Sequence, residues 1–334
     1  AVADELGYPL MIKATAGGGG RGIRKVRSAD ELPSLLDSAR SEAASAFGDP
    51  TVFIEQAVTL AKHIEVQIIG DATGTVWPVG VRDCSVQRRN QKIIEEAPSP
   101  ALSDAQHDAV LEAAAALGRA AGYTNAGTVE FLFDPARNEF WFMEVNARLQ
   151  VEHPITELTT GADLVKLQIG VAAGDALEGD PPPALGHAIE MRLNAEDPLA
   201  GFAPAPGQLD VLRFPTGPGI RVDTGVEEGD TIPPEFDSMI AKIMAHGRTR
   251  NEAVSRLRRA LQRTVVGVRD GASNKSFVER LLADPVFLAA DYDIGWVDGI
   301  DPVARAGDGL ADVAIVAAAI GGYDEQAQVA LSLI

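Results

Sequence analysis

Polar side chains stand at every second position from Glu144 to Glu152, and they are of types that bind ions and transfer protons. In an extended strand they would share one face while apolar residues took the other. The two faces would carry Glu144, Asn146, Arg148, Gln150 and Glu152 against Val145, Ala147, Leu149 and Val151. A solvated outer face is the competing interpretation. We favour a site, because a strand that needs only solubility usually carries Lys, Thr and Glu.

Another acidic side chain is predicted to lie beside this row. Residues 128–133 and 140–144 read as two strands joined by a turn at 134–138, and Glu130 is a lone acid among apolar neighbours there. Glu130 and Glu144 would repel each other unless a cation lay between them. With the Asn146 amide they offer only oxygen ligands, which suits Mg²⁺ or Mn²⁺ sharing phosphate oxygens. The sequence therefore predicts a metal and nucleotide site.

The densest basic cluster contains Arg82, Arg88, Arg89 and Lys92. It stands in a chain with a formal net charge of −19, which argues against a nucleic-acid surface. A cationic pocket in such a chain is expected to hold a small anion. A solvated charged loop is the alternative that the cluster alone leaves open.

A glycine run at 17–20 follows a strand predicted at 9–13. A second strand-like stretch at 23–26 comes next, so a glycine-tipped hairpin is favoured over a dinucleotide-binding turn. Such a tip can close over phosphates as a lid, and a plain flexible hairpin is the alternative. Ser28 and Glu31 then predict a capping box that opens a helix to about Phe47.

The whole chain reads as a globular protein with two α+β parts. It has 334 residues, of which 46% are hydrophobic and 23% are charged. No apolar run is as long as a membrane span, and the sequence does not open with a signal peptide. The single cysteine, Cys84, fits a reducing compartment and is expected to be a small buried residue. The Gly-, Asp- and Pro-rich segment 174–183 is the predicted domain boundary.

Periodicity predicts the remaining elements, and both ends of the chain look cut from a longer polypeptide. Strands are expected near 51–55, 63–69, 75–81, 187–195, 208–214 and 239–246, and helices near 103–121, 162–173, 251–263, 274–283, 311–320 and 325–334.

With these residues identified, the chain resembles the biotin carboxylase component of biotin-dependent carboxylases. The segments that carry the resemblance are IKATAGGGGRG at 12–22, HIEVQIIGD at 63–71, RDCSVQRRNQKIIEEAPSP at 82–100, NAGTVEFLF at 125–133, MEVNARLQVEHPITE at 143–157, IEMRLNAEDP at 189–198 and PPEFDSMIAKI at 233–243. The resemblance implies an α+β fold: an ATP-grasp fold followed by a biotin carboxylase C-terminal domain. The implied parts are the remainder of a lid subdomain at 1–57, a catalytic core at 58–174, the C-terminal domain at 184–295 and a helical extension at 296–334.

The resemblance also implies a reaction and its residues. ATP would phosphorylate bicarbonate to carboxyphosphate, which carboxylates biotin on a carrier protein. The implied ATP-binding residues are Lys13, Gly19, Gly20, Glu55, Gln56, Ala57, Val58, His63, Gln87, Asn90, Glu130 and Glu144. Mg²⁺ or Mn²⁺ would be held by Glu130, Glu144 and Asn146, and bicarbonate by Lys92, Arg148, Gln150, Val151 and Glu152. Glu152 would be the base, and Arg192 and Asp237 would lie at the biotin.

Lys92, Arg148, Glu152 and Arg192 are thus the expected catalytic residues. The alternative for Arg192 is a structural ion pair with Glu190 or Glu196. Asn90 departs from the family pattern, in which many members carry His, and an amide can bond a nucleotide oxygen but cannot carry charge.

The resemblance places this chain among other proteins and domains. It implies a biotin carboxyl carrier and a carboxyltransferase, a homo-oligomer and a cytoplasmic location, with neither nucleic acid nor a membrane as a partner. A further domain is expected ahead of residue 1, so this piece alone is expected to be inactive. An acyl-CoA acceptor is favoured, although the chain carries no residue that selects it. Another ATP-grasp carboxylate-amine ligase and a nucleotide-binding module without turnover are the competing functions.

Overall fold

The computed structural model describes residues 2–17 and 23–302, and its elements are numbered here in chain order. The helices are α1 Val2–Leu6, α2 Leu32–Phe47, α3 Asp104–Ala120, α4 His153–Thr160, α5 Leu164–Ala173, α6 Arg250–Arg263, α7 Lys275–Leu281 and α8 Pro285–Leu288. The first strands are β1 Leu10–Ala14, β2 Ile23–Val26, β3 Val52–Gln56, β4 Lys62–Gly70, β5 Val76–Arg88, β6 Gln91–Ala97, β7 Asn125–Asp134 and β8 Glu139–Asn146. The others are β9 His187–Asn194, β10 Glu196–Asp197, β11 Ala203–Pro204, β12 Gln208–Arg213, β13 Ile220–Thr224, β14 Met239–Gly247 and β15 Val265–Arg269.

The chain divides into two compact units. Unit 1 contains Ala1–Met191, Met244–Arg256 and Pro285–Asp298. Unit 2 contains Arg192–Ile243 and Leu257–Asp284, together with 299–302 among the described residues. None of the helices in the described ranges has the length and hydropathy that a membrane span requires.

The main sheet of unit 1 is antiparallel and runs in the order β9-β6-β5-β4-β7-β8. Its core packs Ile64, Val66 and Val129 beneath Val110 and Ala114 of α3. α3 begins as its sequence predicts, because Ser103 and Gln106 form a reciprocal capping box at its start. Every residue of β4 is buried, so the polar side chains on this strand need partners inside the protein.

A small sheet in the order β2-β1-β3 forms the N-terminal part of unit 1. β1 and β2 are antiparallel, with Lys13 opposite Ile23, as expected for the hairpin. Its tip at 18–22, with Gly19 and Gly20, lies outside the described residues. The capping box predicted at Ser28 is wrong: α2 begins at Leu32, and the Glu31 carboxylate instead accepts a hydrogen bond from the Arg27 backbone N–H.

A continuous strand from Glu144 to Glu152 is also wrong. β8 ends at Asn146, and the chain turns before α4 begins at His153. Pro154 lies in the first turn of α4, where its fixed φ and missing N–H are tolerated. The alternation of polar and apolar residues thus continues in the sequence beyond the end of β8.

Strand β6 was not predicted, and it forms a tight hairpin with β5. Arg88 pairs with Gln91 across this hairpin. Its two turn residues, Arg89 and Asn90, have positive φ angles of 48° and 65°. These angles match a type I′ turn, in which Asn is a favoured residue.

Unit 2 contains the antiparallel pair β12 and β15 and the short pair β10 and β11. β13 lies beside the first half of β14, with the Thr224 hydroxyl bonded to the Ile240 carbonyl at 2.8 Å. Phe202 and Phe277 pack edge to face with ring centroids 4.7 Å apart. Strands β13 and β15 were not predicted. The helices predicted at 311–320 and 325–334 lie outside the described residues.

Candidate active site

A single, largely enclosed lysine joins three carboxylates in unit 1. The Lys92 ammonium lies 2.5 Å from Glu152 Oε1, 2.8 Å from Glu65 Oε2 and 3.2 Å from Glu130 Oε1. Glu65 and Glu152 are both 0% exposed. An ammonium group satisfies three acceptors with its three protons, so the cluster is internally bonded.

Strand register brings these groups together. Glu65 on β4 stands opposite Glu130 on β7, and Glu130 stands opposite Glu144 on β8. Lys92 on β6 is paired with Gln87 on β5. Glu152 comes from the turn immediately before α4.

The electrostatics of the cluster favour ionised side chains despite their burial. Burial alone would raise the pKa of Glu65, but the charges of Lys92 and Arg82 hold it well below its ordinary value. Burial likewise opposes ionisation of Glu130, yet the His63 hydrogen bond and Lys92 lower its pKa to about 2. Burial would lower the pKa of Lys92, whereas its surroundings, Glu65 first, keep it well above the ordinary value. The cluster therefore holds both signs of charge at neutral pH.

Arg148 reaches the cluster through Gln150. Arg148 Nη1 donates to Gln150 Oε1 at 3.0 Å, and Gln150 Nε2 donates to Glu130 Oε1 at 3.2 Å. Arg148 is exposed and Gln150 is buried, with the partly buried Val151 between Gln150 and Glu152. An accessible guanidinium beside a buried amide and an ammonium can bind a small planar anion.

The expected metal ligands share one sheet face. Glu130 pairs directly with Glu144, and Asn146 follows two positions later on β8, with its amide 3.3 Å from Glu144 Oε1. Directly opposed carboxylates destabilise a sheet unless a cation lies near them. This oxygen donor set fits Mg²⁺ or Mn²⁺. The ligand atoms of His63, Glu65 and Glu130 also lie within 4.8 Å of one another, but the Lys92 ammonium bonds both carboxylates there.

The residues expected at the nucleotide fall into separate groups. Lys13 and Glu55 form an ion pair on the small sheet, where Gln56 ends β3 and Ala57 and Val58 follow it. His63 Nε2 lies 3.2 Å from Glu130 Oε2, which joins it to the buried cluster. Gln87 is buried opposite Lys92, while Asn90 is exposed at the hairpin tip.

The two residues expected at biotin belong to unit 2. Arg192 lies on β9, and its carbonyl accepts a hydrogen bond from Asn274 at 3.0 Å. Asp237 is exposed and accepts a hydrogen bond from the Met239 N–H at 3.1 Å. The next residue, Ser238, accepts a bond from the Ala195 N–H at 2.7 Å, so the loop of Asp237 lies beside the end of β9.

The basic cluster that the sequence suggested is divided by the structure. Arg82 is 0% exposed and bonded to protein groups, so it does not line an anion pocket. Arg89 is exposed on the hairpin turn, whereas Arg82 and Lys92 both bond Glu65 of the carboxylate cluster. Cys84 is buried as expected, and burial raises its thiol pKa well above the ordinary value.

Sequence reasoning missed Glu65. Glu65 lies on a strand whose alternating polar residues were visible at 63–69, but only the pairing of β4 with β7 places it opposite Glu130.

The sheet architecture and the buried cluster define an ATP-grasp protein. Residues 1–179 match the family model described as carbamoyl-phosphate synthase L chain, ATP binding domain, and residues 190–299 match the biotin carboxylase C-terminal domain. The chain therefore belongs to the biotin carboxylase family, whose members are ATP-dependent ligases.

Three relatives illustrate the match. Biotin carboxylase 1 of Bacillus subtilis is 44% identical over 303 residues, covering 90% of this chain and 67% of that protein. A pyruvate carboxylase subunit of Methanothermobacter thermautotrophicus is 46% identical over 311 residues, covering 91% of this chain and 62% of that protein. The biotin carboxylase domain dimer of Hydrogenobacter thermophilus 2-oxoglutarate carboxylase, solved with MgADP, ADP and bicarbonate, superposes with a TM-score of 0.85 at 39% identity, covering 89% of this chain and 65% of that one. The chain thus spans about two thirds of the length of these relatives.

Proposed function

We propose that the protein containing this chain uses ATP and bicarbonate to carboxylate biotin on a carrier. The observation that carries the proposal is the contact of Lys92 with the buried Glu152 carboxylate beside the Arg148–Gln150 pair. The exposed Arg148 guanidinium and the Gln150 amide offer N–H donors to an anion, while Lys92 supplies positive charge and Glu152 a carboxylate. The solved relative that holds MgADP and bicarbonate supports the choice of anion.

We assign each site residue one role in this reaction. Arg148, Gln150 and the Val151 backbone seat bicarbonate, with Lys92 neutralising its charge. Glu152 accepts the bicarbonate proton, so that a bicarbonate oxygen can attack the γ-phosphorus of ATP while ADP leaves. The nucleotide is bound by residues of the small sheet, the glycine tip and the central strands: Lys13, Gly19, Gly20, Glu55, Gln56, Ala57, Val58, His63, Gln87 and Asn90. In unit 2, Arg192 stabilises negative charge on carboxyphosphate and biotin, and Asp237 lies near the biotin.

Glu130, Glu144 and Asn146 are the residues that would hold Mg²⁺ or Mn²⁺. When bound, the ion would neutralise charge on the phosphate oxygens. The assignment is supported by the side-chain oxygens of these three residues, which lie on one face of β7 and β8.

The partners follow from the chemistry of the product. Carboxybiotin must be carried to a second active site, so we propose a biotin carboxyl carrier and a carboxyltransferase, with a homo-oligomeric carboxylase in the cytoplasm. An acyl-CoA acceptor stays a prediction, since relatives of similar identity are named for pyruvate and for 2-oxoglutarate. Assays of the complete protein with an acyl-CoA, with pyruvate and with 2-oxoglutarate as the carboxyl acceptor decide among them.

The test is ADP release by the protein translated from the complete reading frame, with free biotin and with or without bicarbonate. We expect bicarbonate to be required, and Glu152→Gln to lose at least about 100-fold in kcat because the proton acceptor is gone. Glu178→Gln, the same substitution at an exposed position, is the matched control. ADP release that ignores bicarbonate in the unaltered protein would overturn the proposal.

A further inference from the structure

Arg82 is a fully buried cation to which the proposed reaction gives no role. Its Nε donates to Glu65 Oε1 at 2.7 Å, and Nη1 donates to Gln67 Oε1 and Thr156 Oγ1, both at 2.9 Å. Nη2 donates to Thr128 Oγ1 at 3.2 Å. A buried guanidinium is costly unless it is paired and bonded, as it is here. With these bonds made to protein groups, Arg82 acts on neighbouring side chains.

The partners of Arg82 come from three elements around the active site. Glu65 and Gln67 belong to β4, Thr128 to β7 and Thr156 to α4. The contact with α4 is the only one of these that leaves the sheet. Arg82 therefore fixes α4 against the strands that carry the carboxylates.

The contact with Thr156 lies one helical turn from the proposed base. Thr156 follows Glu152 by four positions, so the two side chains project from the same side of the first turn. Arg82 bonds Thr156 at the C-terminal end of this turn, and Lys92 bonds Glu152 at its N-terminal end.

Glu65, Arg82, Lys92 and the first turn of α4 form a closed ring of contacts. One oxygen of the Glu65 carboxylate accepts from Arg82 Nε, and the other accepts from Lys92 at 2.8 Å. Lys92 also bonds Glu152, which immediately precedes α4, and Thr156 of α4 bonds Arg82. A shift of α4 would therefore lengthen the contact between Lys92 and Glu152.

We infer that Arg82 is a positioning residue that acts through Thr156 to hold Glu152 against Lys92. The inference rests on the proposed function where it gives Glu152 the role of base. The geometric part, that the Thr156 contact sets the distance between Lys92 and Glu152, can be tested without activity. The side-chain hydrogen bonds of Arg82 given above all go to protein groups, which is why its role is positioning.

The chain offers a matched pair of substitutions in one helix. Thr156→Val removes the hydroxyl that bonds Arg82. Thr159→Val removes an equally buried hydroxyl that bonds only the carbonyls of Ile155 and Thr156 within α4. Thr156→Ser keeps the hydroxyl and serves as the conservative variant.

Steady-state kinetics on the complete protein separate positioning from stability. We expect Thr156→Val to lower kcat/KM for bicarbonate about tenfold or more, since small displacements of reacting groups are costly, with KM for ATP changed less than about twofold. Thr159→Val should leave both constants unchanged, and Thr156→Ser should restore most of the loss. Equal losses in the two valine variants, or a loss in neither, would overturn the inference.

Crystal structures of the same variants keep the inference testable if bicarbonate-dependent turnover is absent. The Lys92–Glu152 distance should exceed hydrogen-bond length in Thr156→Val and stay near 2.5 Å in Thr159→Val. Absent turnover with this difference would contradict the proposed function and support the positioning role. An unchanged distance in Thr156→Val would refute the positioning role whatever the kinetics show.

Discussion

Lys92 Nζ lies 2.5 Å from Glu152 Oε1, so an ion pair with a buried carboxylate joins strand β6 to the residue that precedes helix α4. The same ammonium also bonds Glu65 and Glu130. Removing this cation would leave three buried carboxylates close together. The pair is thus both a structural contact and the centre of the proposed anion site.

Lys92→Met should destabilise the protein by about 3–5 kcal/mol at neutral pH, the usual cost of leaving buried charges without their partner. It should also abolish bicarbonate-dependent turnover. Chemical denaturation and ADP release check the two effects. Lys166→Met, which removes an exposed ammonium, is the control and should change the free energy of unfolding by less than about 1 kcal/mol. A Lys92→Met protein as stable as the control would contradict this account.

Glu96 predicts a pH-dependent part of the stability. It is buried, which opposes ionisation, but hydrogen bonds from His187 and Arg250 lower its pKa from 4.5 to about 2. Because the folded pKa is depressed, its contribution is present above about pH 4.5 and is lost as the pH falls towards 2. The difference in unfolding free energy between wild type and Glu96→Gln should therefore shrink by on the order of 3 kcal/mol over this interval.

The control for this measurement is Glu112→Gln, which removes an exposed ion pair with Arg119. Its effect should stay below about 1 kcal/mol across the same interval. A Glu96→Gln difference that stays constant from pH 5 to pH 2, within about 1 kcal/mol, would refute the stabilising role of the ionised carboxylate.

Asp71 fixes the segment that follows helix α5. Its Oδ2 accepts a hydrogen bond from the Leu177 N–H at 2.8 Å, the largest cause of a pKa lowered to about 2. Asp71→Asn should speed hydrogen exchange at the Leu177 amide about tenfold or more, since one buried acceptor is replaced by a donor. Asp180→Asn, at an exposed position, should leave that amide unchanged. Unaltered exchange in Asp71→Asn would show that other contacts hold the segment.

Asn90 has a turn role that can be separated from its proposed nucleotide role. Its φ of 65° suits Asn or Gly, so Asn90→Gly should retain stability while Asn90→Ala loses about 1–2 kcal/mol. Both variants lack the amide and should raise KM for ATP severalfold. Thermal unfolding and ATP titration measure these effects. If Asn90→Gly keeps the wild-type KM, the amide serves only the turn.

The pairing of the strands that carry Glu130 and Glu144 was the part of the site that the sequence could predict. The turn at 134–138 indicates that the strands of Glu130 and Glu144 are partners, but Phe131 pairs with Phe142, and only a register shift between Glu130 and Phe131 brings Glu130 opposite Glu144. Alternation alone could not show that β8 stops at Asn146, since the same parity runs on through Glu152. Pro154 was the available signal for the helix that follows.

Burial was harder to predict than charge. Arg82 and Arg89 belong to one basic run, yet Arg82 is enclosed by β4, β7 and α4 while Arg89 lies exposed on a hairpin turn. Glu65 became a site residue only through the pairing of β4 with β7. These distinctions depend on contacts between segments distant in the chain, which local periodicity does not contain.

Phosphorylation of bicarbonate is the central claim, and oxygen-18 tests it most directly. When a bicarbonate oxygen attacks the γ-phosphorus of ATP, that oxygen stays with the phosphate after the carboxyl group leaves. The complete protein, given ATP, biotin and [¹⁸O]bicarbonate, should release inorganic phosphate carrying one bicarbonate oxygen per turnover, as measured by mass spectrometry. Phosphate that carries only water and ATP oxygens would contradict the account.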